Sequence, residues 1–284
     1  MLYGQDIHEF IRLALEEDIG DGDHTSLATI PADAAGRARL LVKDEGILAG
    51  VELAGLIFQQ VDADLQVHLL LEDGARIKKG DIVLTVEGRS RSILQAERLV
   101  LNCMQRMSGI ATYTRSMADL IADLPCKLLD TRKTTPNFRI CEKWATRIGG
   151  AVNHRYALYD MILIKDNHVD YAGGIEAAIT KANDYLKATG RNLQIEIEVR
   201  NLSELDEVLR VGGYQAVHRI MLDNFDYETL REAVRRVGNR YPTEASGGIN
   251  ETTIRDYALC GVDYVSVGAL THHVNSLDLS LKAW

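Results

Sequence analysis

The stretch LQIEIEVRNLSELDEVLRVGGYQAVHRIMLDN, residues 193–224, decides the architecture. Leu193–Val199 is a short apolar run in which Ile195 and Ile197 alternate with Glu196 and Glu198, the period of a strand. Ser203–Val211 carries helical apolar spacing. Ser203 followed by Asp206 reads as its capping box, and Gly212 as its close. Val217–Leu222 is a second apolar run, and it leads directly into Asp223 and Asn224. Strand, helix and strand in such short order imply parallel strands joined by a right-handed crossover.

The same rhythm extends in both directions from Cys126 onward. Further strands are expected at Cys126–Leu129, Met161–Ile164, Pro242–Ala245 and Val262–Val267. Further helices are expected at Ile175–Thr189, Asp226–Val237 and Glu251–Leu259, closed by Gly190, Gly238 and Gly261. Six or seven such units would close, or nearly close, a barrel. The first part of the chain reads differently. Asp6–Glu17 has helical spacing and is followed by a polar loop, Asp18–Ser26. Short alternating segments follow at Ala38–Val42, Gly46–Leu48, Leu65–Leu71 and Ile82–Val86. Ser92–Leu124 turns helical, with an expected break near Ser108-Gly109.

The chain has 284 residues, enough for one large domain or two unequal ones with ample core. Its 46% hydrophobic and 26% charged residues are ordinary globular composition, and no apolar run is long enough to span a membrane. The start, MLYGQDIHEF, lacks a basic-then-apolar signal pattern, so a cytoplasmic location is the default expectation. Cys103, Cys126, Cys141 and Cys260 have no paired spacing, which argues against a zinc site or a disulfide framework. The net charge of −9 argues against nucleic acid or an acidic membrane as partner. It also makes local basic clusters informative, because they run against the global field.

Almost every expected strand is followed at once by polar side chains. Leu128-Leu129 leads into Asp130, Thr131, Arg132 and Lys133; Leu163-Ile164 leads into Lys165, Asp166, Asn167 and His168. Thr243-Glu244-Ala245 leads into Ser246-Gly247-Gly248, and Val265-Ser266-Val267 into Gly268. In parallel α/β barrels the carboxyl ends of the strands form the active-site face, with the phosphate site after the last two strands. The glycines would let backbone N–H groups approach a phosphate; tight-turn chemistry is the alternative. Arg132, Lys133, Arg139, His154, Arg155 and Lys165 suit an anionic ligand, the alternative being pairing with Glu142, Asp160 or Asp166. Glu198 and Asp223 suit Mg²⁺ near a phosphate, or else a salt bridge to a basic neighbour.

Four ordered motifs then carry a resemblance. They are Asp130-Thr131-Arg132-Lys133-Thr134-Thr135-Pro136, Asn153-His154-Arg155 after Gly149-Gly150, Leu163 to His168, and Glu244-Ala245-Ser246-Gly247-Gly248-Ile249. With Glu17–Ser26 near the start, they resemble the quinolinate phosphoribosyltransferase family, also called nicotinate-nucleotide pyrophosphorylases (carboxylating), over nearly the whole chain.

The resemblance implies an α/β protein: an N-terminal α/β open-faced sandwich plus an incomplete parallel α/β barrel. The sandwich would take residues 1–107 joined by the tail 272–284, and the barrel residues 108–271 with the phosphoribosyl and quinolinate site. It implies transfer of phosphoribose from phosphoribosyl pyrophosphate to quinolinate, giving nicotinate mononucleotide, CO₂ and pyrophosphate for NAD biosynthesis. Mg²⁺ is implied as cofactor, held by Glu198 and Asp223 directly, through water or through substrate. A homo-oligomer is implied, a dimer or a larger assembly of dimers, with Arg98 lent across the interface; a solvated helix residue is the alternative for Arg98.

Arg132, Lys133, His154, Arg155 and Lys165 would hold the two quinolinate carboxylates, with Thr131 also in the substrate site. Glu198 and Asp223 would bind ribose hydroxyls, and Ser246, Gly247, Gly248 and Gly268 the 5′-phosphate. Lys133, Lys165, Glu198 and Asp223 would be the catalytic group. The family often continues its last motif as Leu-Thr-His-Ser; Leu270-Thr271-His272-His273 departs from it at His273, whose role stays open.

Three rivals are weighed against this. A molybdenum-transport-associated paralogue would share the fold. A Schiff-base lyase would use Lys133 or Lys165. A carrier module is suggested by Gly74–Val83, which resembles lipoyl or biotinyl domains but lacks their modifiable lysine triplet.

Overall fold

The computed structural model describes residues 7–284, so the expected helix start at Asp6 lies outside the described residues. In chain order the elements are α1 (Ile7–Ile19), α2 (His24–Thr29), β1 (Ala35–Val42), β2 (Gly46–Ile47), α3 (Val51–Val61), β3 (Gln66–Leu69), β4 (Arg76–Ile77), β5 (Ile82–Arg89) and α4 (Ser90–Asp119). There follow β6 (Lys127–Leu129), α5 (Arg139–Gly149), β7 (Ile162–Ile164), α6 (Asp166–Ala172), α7 (Ile175–Thr189), β8 (Ile195–Val199) and α8 (Leu202–Val211). The last are β9 (Arg219–Asp223), α9 (Tyr227–Val237), β10 (Thr243–Ser246), α10 (Ile254–Leu259), β11 (Tyr264–Ser266), α11 (Ala269–His272) and β12 (Leu279–Ala283).

The chain divides into two compact units. Among the described residues the first takes 7–115, 133–150 and 270–284. Its antiparallel sheet has the order β12-β1-β5-β3, with Ala38 to Val42 of β1 paired in register against Ala283 to Leu279. Alternation on β1 buries Ala38, Leu40 and Val42 on one face. These pack with Leu53, Ile57 and Phe58 of α3 and with Val100, Met104 and Met107 of α4 in one apolar cluster.

One expectation needs correction here. The helix does not break at Ser108-Gly109, because α4 runs straight through them. Ser108 is fully buried, and its hydroxyl accepts from Ala49 N–H at 3.0 Å. A Cβ on Gly109 would run into the Asn275 carbonyl. The small pair is a close-packing seam inside one helix. Residues 133–150 group with the first unit. The reason is packing: Ile140, Cys141, Trp144 and Ala145 of α5 join its core, and the buried Glu142 accepts from Arg106 at 3.0 Å.

The second unit takes residues 116–132 and 151–269. Its six parallel strands have the order β6-β11-β10-β9-β8-β7. Successive strands are neighbours from β7 to β11, and the earliest strand, β6, then pairs with the latest. That wraparound order is the mark of a barrel. Val152 adds a single parallel bridge to Leu129, and β7 ends the sheet, so the barrel is incomplete. On β8, Ile195, Ile197 and Val199 alternate with Glu196 and Glu198, and all five are buried. The capping box expected at Ser203 is displaced: Asn201 is the N-cap, its side chain accepting from Glu204 N–H at 2.9 Å. The helix after β10 starts at Ile254, not at Glu251.

Candidate active site at the strand ends of the barrel unit

Asp130, at the end of β6, is fully buried. Its carboxylate accepts from Asn153 Nδ2 at 2.6 Å and from His154 N–H at 2.8 Å, fixing the connection that carries Arg155. Asp160 secures the far side of that connection by accepting from the N–H groups of Tyr156 at 2.6 Å and Ala157 at 2.7 Å. Glu142 is occupied by Arg106 and by Thr135 N–H. Two of the carboxylates considered as partners for the basic cluster, Glu142 and Asp160, therefore have other work.

Arg132 and Arg155 are both half-buried in the barrel unit. Arg132 Nε is a buried donor that meets no acceptor. Arg155 donates to Met161 carbonyl at 3.2 Å. Burial first, and then the Arg132 charge, push the Arg155 guanidinium below its ordinary pKa. Two guanidiniums that repel each other, one with an orphaned N–H, form a site that an anion relieves.

Lys165 and Glu198 face each other across the ends of β7 and β8, Nζ to Oε2 3.7 Å. Burial, followed by the nearby Asp223 charge, raises the Glu198 carboxyl; the Lys165 ammonium acts in the opposite direction. Asp223, at the end of β9, accepts from Asn224 Nδ2 at 2.6 Å. Asn224 has a left-handed backbone, φ 55°, and donates its N–H to Ser246 carbonyl at 2.8 Å. A Cβ on Gly247 would collide with the Asn224 side chain, so only glycine lets these two strand ends approach. Gly247 and Gly248 both have positive φ, and Gly248 faces open space. Gly268 follows β11 at the neighbouring strand end.

His154 was expected as a substrate ligand, but both of its ring nitrogens face protein. Nδ1 accepts from Arg155 N–H at 2.6 Å, and Nε2 lies 3.0 Å from Glu196 and 3.4 Å from Glu244. Burial would lower its pKa; contacts with the two carboxylates more than offset that and lift it to about 9. The Arg155 N–H occupying Nδ1 opposes a second ring proton. The geometry therefore assigns the attracted proton to Glu196, whose carboxyl is pushed up by burial and by Glu244.

Lys133, Arg139 and Arg98 belong to the first unit. Lys133 is exposed and its carbonyl accepts from Thr271 Oγ1 at 2.7 Å. Arg139 donates to Thr134 Oγ1 at 2.9 Å. Arg98 is exposed on α4. His272 and His273 stack edge-on, their centroids 4.4 Å apart. Thr131 is half-buried beside Arg132 in the barrel unit.

The reading of the sequence missed three members of the barrel interior: Glu196, Glu244 and Arg219 in their joint role. The alternation Ile195-Glu196-Ile197-Glu198 was a signal that both carboxylates share one face, but not that they lie in different layers. It also missed Asn224, whose signal was its place between a strand end and a glycine loop.

An incomplete parallel barrel with cations, carboxylates and glycine turns at its strand ends defines a class, the α/β-barrel enzymes that act on anionic, phosphorylated substrates. The comparisons narrow it. Residues 23–108 match the family model for the quinolinate phosphoribosyl transferase N-terminal domain, and residues 110–282 the model for its C-terminal domain. The quinolinate phosphoribosyltransferase [decarboxylating] 1b of Nicotiana tabacum is 45% identical over 98% of this chain and 82% of its own. The probable nicotinate-nucleotide pyrophosphorylase [carboxylating] of Bacillus subtilis is 40% identical over 93% of this chain and 89% of its own. The solved structure of NadC from Streptococcus pyogenes superposes with a TM-score of 0.90 at 37% identity, covering 97% of this chain and 95% of that one. The chain belongs to the quinolinate phosphoribosyltransferase family.

Proposed function

We propose that the chain transfers phosphoribose from phosphoribosyl pyrophosphate to the ring nitrogen of quinolinate, with loss of CO₂, giving nicotinate mononucleotide and pyrophosphate. The observation that carries this is the Arg132–Arg155 pair. It is a preorganised dication with an orphaned buried Nε–H, suited to a rigid dicarboxylate. Lys165, at the end of β7, adds a third cation in the same unit.

The chemistry follows from these side chains. Departure of pyrophosphate leaves positive charge at the ribose carbon, so positioning and electrostatics supply most of the rate. Glu198 and Asp223, with acceptor oxygens only, would bind ribose hydroxyls beneath that centre. Ser246, Gly247, Gly248 and Gly268 would receive the 5′-phosphate on backbone N–H groups. Once the ring nitrogen is ribosylated it is cationic; the adjacent carboxylate leaves as CO₂, its bonding pair stays on the ring carbon stabilised by the neighbouring N⁺, and a proton from solvent completes the new C–H bond. The arginines hold the second carboxylate throughout.

Mg²⁺ fits Glu198 and Asp223, a pair of hard oxygen donors whose mutual repulsion a divalent cation would relieve. When bound it would neutralise the departing pyrophosphate. A Schiff-base lyase is disfavoured because Lys165 is 49% exposed and ion-paired with Glu198, the opposite of a desolvated nucleophilic lysine.

Arg98 is proposed as the side chain lent to a second copy in a dimer or larger assembly. Mixing inactive Arg98→Ala and Lys165→Ala chains should then restore part of the activity. Among the described residues no helix is long and apolar enough to cross a membrane. A cytoplasmic location is proposed from the ordinary charged composition, although relatives in Arabidopsis thaliana and Nicotiana tabacum are named chloroplastic and mitochondrial. The deciding assay follows nicotinate mononucleotide formation from quinolinate and phosphoribosyl pyrophosphate with and without Mg²⁺; absence of product with Mg²⁺ present refutes the reading.

A further inference from the structure

Below the strand-end groups the barrel interior holds a second polar layer. Glu196 on β8, Arg219 on β9 and Glu244 on β10 converge there with His154 from the connection after Val152. Arg219 Nη1 lies 3.3 Å from Glu244 and 3.8 Å from Glu196, and its guanidinium stacks on Tyr264 at 4.5 Å. Glu196 and Glu244 are fully buried, yet both Glu196 oxygens and Glu244 Oε1 meet no hydrogen-bond donor of good geometry. Carboxyl groups buried in this way are costly, which asks what they hold in place.

His154, Glu196 and Glu244 place three donor atoms within 4.8 Å of one another, the geometry of a metal site. The Arg219 guanidinium already supplies a cation at both carboxylates, and that favours an ionic cradle over a bound metal. What the cradle faces is one imidazole nitrogen. A ring whose Nδ1 accepts from Arg155 N–H must carry its proton on Nε2, and Nε2 points at the two carboxylates.

We infer that Glu196, Glu244 and Arg219 are positioning residues for substrate binding: they fix the tautomer and ring orientation of His154, which in turn fixes the Arg155 backbone beneath the dicarboxylate. The contacts run in sequence. The cradle oxygens lie 3.0 and 3.4 Å from Nε2, Nδ1 accepts from Arg155 N–H, Asp130 accepts from His154 N–H, and Arg155 Nη1 is steadied on Met161 carbonyl. Arg155 thus meets its ligand with little conformational freedom left to lose. None of the three cradle residues touches substrate. The inference rests on the dicarboxylate reading given above.

The test combines kinetics with ¹⁵N-histidine NMR on the full chain. In the wild-type protein His154 should report the Nε2–H tautomer without any substrate. In Glu196→Ala and Glu244→Ala the tautomer signature should be lost, and the KM for quinolinate should rise about tenfold or more, with the KM for phosphoribosyl pyrophosphate within about twofold. Glu196→Gln, which keeps an acceptor oxygen, should restore most of the quinolinate KM. Equal changes in both KM values, or none, would overturn the inference. So would a wild-type His154 in the Nδ1–H form, a measurement that stands even where the variants fail to fold. Stoichiometric metal lost on Glu196→Ala would overturn it as well. Absence of transferase activity in the wild type would instead overturn the proposed function, while the tautomer still tests the cradle.

Discussion

The interior of the antiparallel sheet unit and the interior of the barrel unit are built on opposite terms. Behind β1 and β5 the first unit packs Leu40, Val42, Val83 and Leu84 against Phe58, Met104 and Met107, all apolar and almost completely buried. Inside the barrel, where layers of branched aliphatic side chains are the norm, this chain places Glu196, Glu244, Arg219 and His154. The first interior is organised for stability by area removed from water. The second gives up that gain to hold charges in fixed positions under a binding face. Mutations should therefore separate cleanly: those in the barrel ought to cost function before stability, those in the sheet core stability before function.

The largest effect that would break this contrast lies at Arg155. Arg155→Ala should lower kcat/KM for quinolinate by about a thousandfold, the scale expected when a charge-assisted bidentate contact and its positioning are both lost. Its melting temperature should barely move, as thermal unfolding would check. Next comes Phe58→Ala, which removes a fully buried ring and should destabilise by about 3–5 kcal/mol in denaturant unfolding, with kcat per folded molecule unchanged. Gly109→Ala sharpens the comparison at a smaller scale. Its methyl group has no room against the Asn275 backbone, so overpacking should cost about 1–3 kcal/mol, read as a lowered urea midpoint.

The smallest effect is electrostatic and falls in the sheet unit. Asp62 is held by Arg89 through two contacts of 2.7 and 2.6 Å and by the Ser92 hydroxyl, which keep its carboxyl well below the usual range. A carboxyl with a depressed folded pKa stabilises fully above its unfolded pKa of about 3.9 and loses that contribution as pH falls below it. Asp62→Asn should therefore lower the melting temperature at neutral pH, and the gap to wild type should narrow as pH is taken below about 4.

Much of the barrel was legible in the sequence because each strand–helix unit carries its own punctuation. β8, α8 and β9 follow the apolar periods of residues 193–224 closely. The strand-end side chains were legible for the same reason, since a charge directly after an apolar run can only be at an edge. Other elements concealed themselves. In α5 Glu142 and Lys143 are buried together with Cys141 and Trp144, so its charged residues do not mark a solvent-facing side. Ser108 and Gly109 have the chemistry of a breaker, and only the seam they fit explains them inside a helix. The Glu196 cradle depends on which layer of a closed interior each side chain occupies, and local pattern carries no information about layers.

The pairing of β12 with β1 has a consequence for how the polypeptide is made. Residues 279–283 sit beside residues 38–42, so one edge of the antiparallel sheet stays open until almost all of the described chain has left the ribosome. A nascent chain halted before residue 279 would present β1 as a bare strand edge, apolar on its inner face and free to pair with a neighbour. Late arrival of five residues thus sets when synthesis yields a protein that can stay apart from its own copies, and chaperone demand should peak just before them.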